Sequence, residues 1–68
     1  MIELDCQGLL CPQPIIDLGK AIRHLKSNEI IILISDDPAT QQDLRAWSRM
    51  TGNLVQPLDQ ERFQITKS

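Results

Sequence analysis

Apolar and polar positions alternate at the start of the chain, so Ile2-Glu3-Leu4-Asp5 predicts a short first strand. Gly8 breaks that run and opens a loop that ends at Cys11. From Pro12 onward apolar residues fall at Ile15, Leu18, Ile22 and Leu25, which is one stripe along an α-helix. Asp17, Lys20, Arg23 and His24 then lie mostly on its wet side, and Ser27-Asn28 closes it. Ile30-Ile31-Ile32-Leu33-Ile34 is too short for a helix and predicts a central strand buried on at least one face. Asp37 as N-cap and Pro38 at the first helical position start a second helix. It runs to about Thr51 with Leu44 and Trp47 inward, Met50 as a candidate third, and Gly52 as its C-terminal cap. Leu54-Val55 and Phe63-Gln64-Ile65 predict two last strands joined through Asp59-Gln60-Glu61. Pro57 cannot donate to a ladder, which puts its strand at an edge or at its own end.

The order is βαβαββ over one domain, residues 1–68, with no linker or repeat. The expected class is α/β: a two-layer sandwich whose four-stranded mixed sheet carries both helices on one face. Either Ile30, Ile32 and Ile34 or Ile31 and Leu33 then point away from the helices. That second face is expected to be weakly covered or to serve for docking.

Composition narrows the function. With 41% hydrophobic and 24% charged residues the chain is ordinary for a globular domain, while 3% aromatic leaves the core to aliphatic side chains. A net charge of −2 without a basic block disfavours a nucleic-acid partner. No apolar run reaches the roughly 18 residues of a membrane span, and none follows a basic start as in a signal peptide, so a cytoplasmic location is expected. Two cysteines, one histidine and no CxxC pair rule against a zinc site or a disulfide framework. No metal or organic cofactor is expected.

The segment Cys11-Pro12-Gln13-Pro14 carries the chemistry. Cys11 stands where an N-cap stands, and the positive end of a helix dipole favours a thiolate there. Pro12 and Pro14 lack N–H groups, which leaves Gln13 and Ile15 as early free donors to an anion. In exchange, the fixed φ of two prolines orients the helix start. The expected thiol is exposed, oriented and modestly activated. A buried, inert cysteine beside an ordinary helix-start proline fits the spacing equally well.

The stretch from Leu4 to Pro14 resembles the LD-x-x-GL-x-CP-x-P signature of the TusA/SirA/YedF family of sulfur carriers. Lys20-Ala21, Asp36-Asp37-Pro38-Ala39, Asp43 and Gly52 extend the likeness over nearly the whole chain. The resemblance implies the same two-layer βαβαββ sandwich, with Cys11 accepting sulfur as a persulfide. It also implies a cysteine desulfurase or other persulfide donor protein and a sulfur-accepting relay protein as partners. Transfer RNA thiolation, selenium metabolism and sulfur oxidation are the pathways it suggests. Gly19 stands where many members carry a basic residue, and Ser48 where many carry a second cysteine.

Other residues are read more plainly. Cys6 is expected to fill space beneath its loop, although resolving a persulfide is the sharper alternative. Asp37 caps, and Asp36 is a candidate to face a partner. Lys20 and Arg23 are candidates for partner docking, roughly 13–18 Å from Cys11 along a helix and too far to activate it. Arg45 and Arg49 read as a solvated helix face. The preferred function is a sulfur carrier acting as a sulfurtransferase only with partner enzymes. The rival is a redox-sensing regulatory module; a thiol-disulfide oxidoreductase ranks third, for want of a CxxC.

Overall fold

The structure, a computed structural model, describes residues 2–10 and 13–68. Its elements follow the expected order: β1 (Ile2–Asp5), α1 (Gln13–Ile22), β2 (Ile30–Ile34), α2 (Thr40–Thr51), β3 (Leu54–Pro57) and β4 (Arg62–Thr66). The sheet runs β1-β2-β4-β3, with β1 parallel to β2 and the other two pairings antiparallel. This is the mixed four-stranded sheet of a two-layer α/β sandwich. Pro57 ends β3, an outermost strand, where a missing N–H breaks no central ladder.

Register decides which isoleucines face the helices. Ile31 and Leu33 stand opposite Ile65 and Phe63, and all four are buried with Leu18, Ile22, Leu25 and Leu44 in one core. Ile30, Ile32 and Ile34 therefore occupy the other face, which none of the described elements covers. Glu3 and Gln64 stand directly opposite Ile32 on its two sides, and Ile32 is only 8% exposed. Polar neighbours with methylene stems thus do part of the work a second layer would do.

Three expectations shift. The first helix stops at Ile22, not near Ser27, and its chain continues in tighter turns with His24 N–H on Ala21 C=O and Leu25 N–H on Ile22 C=O. Leu25 stays buried, so the apolar stripe outlasts the helix that it implied. Asn28 then takes a left-handed φ of 73° and donates its N–H to Lys67 C=O, which ties this turn to the end of β4.

At the second helix the regular i→i−4 ladder begins later than Asp37-Pro38 suggests. The N-cap is Ala39, without a side-chain cap, and not Asp37: Asp37 Oδ1 accepts the Ala39 N–H at 2.9 Å and its C=O accepts the Thr40 N–H, in the turn ahead of the helix. The chain therefore enters α2 through one tight turn. Met50 is 86% exposed, not inward. The buried stripe runs through Thr40 and Leu44 with Trp47 half-buried, and at 100° per residue position 50 is about 120° away from position 44. Gly52 closes the helix at φ 79°, a left-handed conformation that suits glycine, and donates to Ser48 C=O.

Small polar side chains fasten the corners. Ser35 Oγ and Thr40 Oγ1, both buried, share a 2.7 Å hydrogen bond. Buried Asn53 accepts the Ser68 N–H on Oδ1 at 2.9 Å and donates from Nδ2 to Thr51 Oγ1, while Ser48 Oγ donates to the Asn53 C=O. Asn53→Ala should strand the Ser68 N–H and lose the bond to Thr51 Oγ1, while the Ser48 bond to the backbone C=O remains, and lower stability by about 1–3 kcal/mol. Urea unfolding checks this; a change within the error of the midpoint would show that water replaces the amide.

Candidate functional site

The two calling points of the cysteine motif, Cys11 and Pro12, lie outside the described residues, and the N-cap and helix-start roles expected of them lie there too. What is described is the frame on either side. On the N-terminal side Cys6 N–H donates to Ile34 C=O at 2.7 Å, so β1 hands the chain to the loop while still registered on β2. Asp5 Oδ1 accepts the Gln7 N–H, and Leu9 N–H returns to Cys6 C=O. Gly8 adopts φ 81°, a left-handed conformation needing no side chain. Leu10 follows, 77% exposed.

On the C-terminal side α1 opens at Gln13, and Pro14 is buried in its first turn. A side chain fixed at φ near −65° and packed against the body of the protein holds the helix start in place. Gln13 Nε2 donates to Asp17 Oδ1 at 2.8 Å, one turn on. Its backbone N–H donates to Leu10 C=O at 2.9 Å. This corrects one expectation: Gln13 is not a free donor, because the loop takes its N–H. Hydrogen bonding to an anion at the helix start is reduced further, and the helix dipole gains relative weight.

Asp36 has a job that sequence reasoning missed. Its two carboxylate oxygens accept the Gly8 N–H at 3.1 and 3.2 Å, across 28 residues of sequence. The loop after β2 thereby grips the loop that leads to Cys11. The glycine three residues after the end of β1 was the available signal, but nothing local says which acid reaches it. Lys20 lies exposed in the last turn of α1, and Arg23 in the turn beyond it. Because α1 ends at Ile22, the axial distance expected for Arg23 no longer applies. No described hydrogen bond or ion pair joins either cation to Asp36.

Cys6 is a free thiol and buried, as the plainer reading has it. Burial pushes its pKa up, and the charges of Asp17 and Asp5 push the same way. The sign for stability follows from linkage. The folded state keeps a proton that the unfolded state releases near 9.0, so stability is unaffected below that pH and falls as pH rises past it. Between about pH 8 and pH 10 the urea midpoint of the native chain should therefore drop more than that of Cys6→Ala. Equal slopes for the two proteins would show that the thiol ionises as freely folded as unfolded.

An open groove of about 340 Å³ lies between the helices, lined by Ile15, Asp43, Ala46, Trp47 and Met50. With Leu10 and Ile16 also exposed, the surface around the start of α1 is more apolar than a solvated helix face requires.

A four-stranded mixed sheet with two helices, in βαβαββ order, defines a small two-layer α/β domain. Comparison with known proteins places it more narrowly. Residues 2–66 match the family model described as Sulfurtransferase TusA, and the chain belongs to that family. The crystal structure of a SirA-like protein from Desulfitobacterium hafniense is similar to it, at 26% sequence identity and a TM-score of 0.78, covering 97% of this chain and 93% of that one. Family membership supports a sulfur-transfer role in company with other proteins. None of the helices among the described residues is long and apolar enough to cross a membrane.

Proposed function

We propose that this protein is a cytoplasmic sulfur carrier whose cargo is a persulfide on Cys11. The observation that carries the reading is the Cys-Pro-Gln-Pro segment, which ends two residues into α1 in a chain that belongs to the TusA family. The Cys11 thiolate attacks the outer sulfur of a donor persulfide. A new S–S bond forms at Cys11, the donor's S–S bond breaks, and the donor leaves as a thiolate. The sulfane proton stays with the transferred sulfur, so Cys11–S–SH results without any external oxidant. A cysteine of the relay protein then repeats the attack on that outer sulfur and leaves Cys11 as thiolate.

The donor is a cysteine desulfurase type of enzyme, and the acceptor a relay protein such as one serving tRNA thiolation. Donor and acceptor supply the remaining chemistry, so the carrier needs an accessible sulfur more than it needs a base. Pro12 and Pro14 orient the helix start, the Asp36–Gly8 tether steadies the approach loop, and the apolar surface around Leu10 and Met50 supports contact with visiting proteins. Lys20, Arg23 and Asp36 remain the charged candidates for guiding them.

Incubation with a cysteine desulfurase and free cysteine, followed by intact mass measurement, tests the reading. A carrier gains one sulfur, about 32 Da. A chain that takes no sulfur from desulfurase or from inorganic polysulfide is a redox-sensing module instead.

A further inference from the structure

None of the residues that line the groove between α2 and β3 belongs to the cysteine motif. Gln41, Arg45, Ser48 and Arg49 form its helical wall, and Val55, Pro57 and Phe63 its floor, around about 300 Å³ of open space. The wall is one stripe of α2 at helical spacing. Arg45 and Arg49 are both exposed, and the one ion pair among the described residues, Arg62 with Asp59, involves neither. Two like charges four apart on a helix weaken it slightly, by mutual repulsion. In a chain of net charge −2, two unneutralised arginines on the rim of an apolar groove are a local reversal of sign.

The floor adds a backbone feature. β3 is an outermost strand. Leu58 N–H bonds to Arg62 C=O, and Leu54 and Gln56 share its parity in the antiparallel register, so all three turn towards β4. Alternation then directs the N–H and C=O of Val55, and the C=O of Pro57, outward from the sheet. A strand laid beside β3 finds one donor and two acceptors there. Its side chains alternate, with those on the helical side recurring every second residue at about 6.6 Å. Arg45 and Arg49, four residues apart on α2, are separated by about 6 Å along the helix axis. Acidic residues at i and i+2 of an extended segment therefore match the two guanidinium groups. Apolar residues between them fall on the opposite face beside Leu54, which is exposed.

We infer that the α2–β3 groove binds an extended acidic segment of a partner protein, adding it to the β3 edge with its carboxylates on Arg45 and Arg49. The groove takes none of its lining from α1 or the cysteine segment, so binding here is expected to proceed with the thiol free or loaded.

The probe is a ten-residue synthetic peptide of alternating glutamate and valine, titrated into the ¹⁵N-labelled full chain by NMR. The expected result is saturable shifts confined to residues 41–49 and 54–58. Arg45→Glu/Arg49→Glu should raise the Kd at least about tenfold, and added salt should weaken binding in the native chain. Arg45→Gln/Arg49→Gln, which removes charge without reversing it, should give a smaller loss in the same direction. Both variants are expected to keep the native spectrum elsewhere and to take up sulfur on Cys11 as before. Failure of sulfur loading in the native chain would end the carrier reading and leave this one standing. The groove assignment is overturned if the peptide shifts nothing there, or if a lysine–valine peptide binds as well. It is overturned equally if glutarate reproduces the same shifts at the same concentration, since the site would then take small anions.

Discussion

Cys11→Ser should abolish the gain of sulfur completely, while Cys6→Ala should leave it at one atom per chain. The two cysteines are five residues apart but differ in what surrounds them. Cys6 is sealed in the core cluster, and its thiol is held protonated by burial and by Asp17 and Asp5. The thiolate is the attacking species, so at neutral pH Cys6 lacks both the charge and the access that transfer requires. A serine hydroxyl at position 11 is not ionised at that pH and cannot form a persulfide. Intact mass after incubation with desulfurase and cysteine reads both variants in one experiment. If Cys11→Ser still gained sulfur, the cargo would reside on Cys6, and loading would require the β1–α1 loop to open.

The second large effect is on folding. Leu33→Ala is expected to leave the chain largely unfolded at room temperature. Leu33 is fully buried at the centre of β2, paired in register with Leu4 on one side and Phe63 on the other. Such truncations cost about 2–5 kcal/mol, from lost transfer energy and the cavity left behind. A single core of this size supplies only about 3–5 kcal/mol in total. The described residues contain no disulfide and no converging set of three metal-binding side chains to make up the difference. Met50→Ala serves as the control: its side chain is almost fully exposed, and the expected change is within about 0.5 kcal/mol. Far-UV circular dichroism with urea titration separates the two. A Leu33→Ala chain that folds with a midpoint near that of the native protein would mean that the sheet collapses around the gap.

Much of the architecture was legible because the signals are local. A five-residue β-branched run can be little else than a strand, and Ile30–Ile34 is one. Asp37-Pro38 marks the turn that leads into a helix, though α2 itself begins at Thr40, and Gly52 marks a helix end because left-handed φ suits glycine. An apolar pattern alone does not define the extent of a helix. Leu25 keeps its place in the core from a turn, since burial depends on where a side chain arrives and not on the conformation that carries it. Met50 failed for the converse reason. It is helical, but the face of α2 that meets the sheet is set by Thr40 and Leu44, and a buried threonine gives no apolar signal.

The chemistry of the site divides along the same line. A cysteine between a glycine-opened loop and a proline-framed helix start is written in eleven consecutive residues, and the family they resemble is the family the chain belongs to. Only folding brings Asp36 to the Gly8 N–H, pairs the Gln13 N–H with Leu10, and sets Arg45 and Arg49 above the edge of β3. Each of these joins elements whose meeting depends on sheet order and register. Strand, helix and cap preferences act over a few neighbouring residues and can be read along the chain, whereas contacts between distant segments arise from the packing of whole elements.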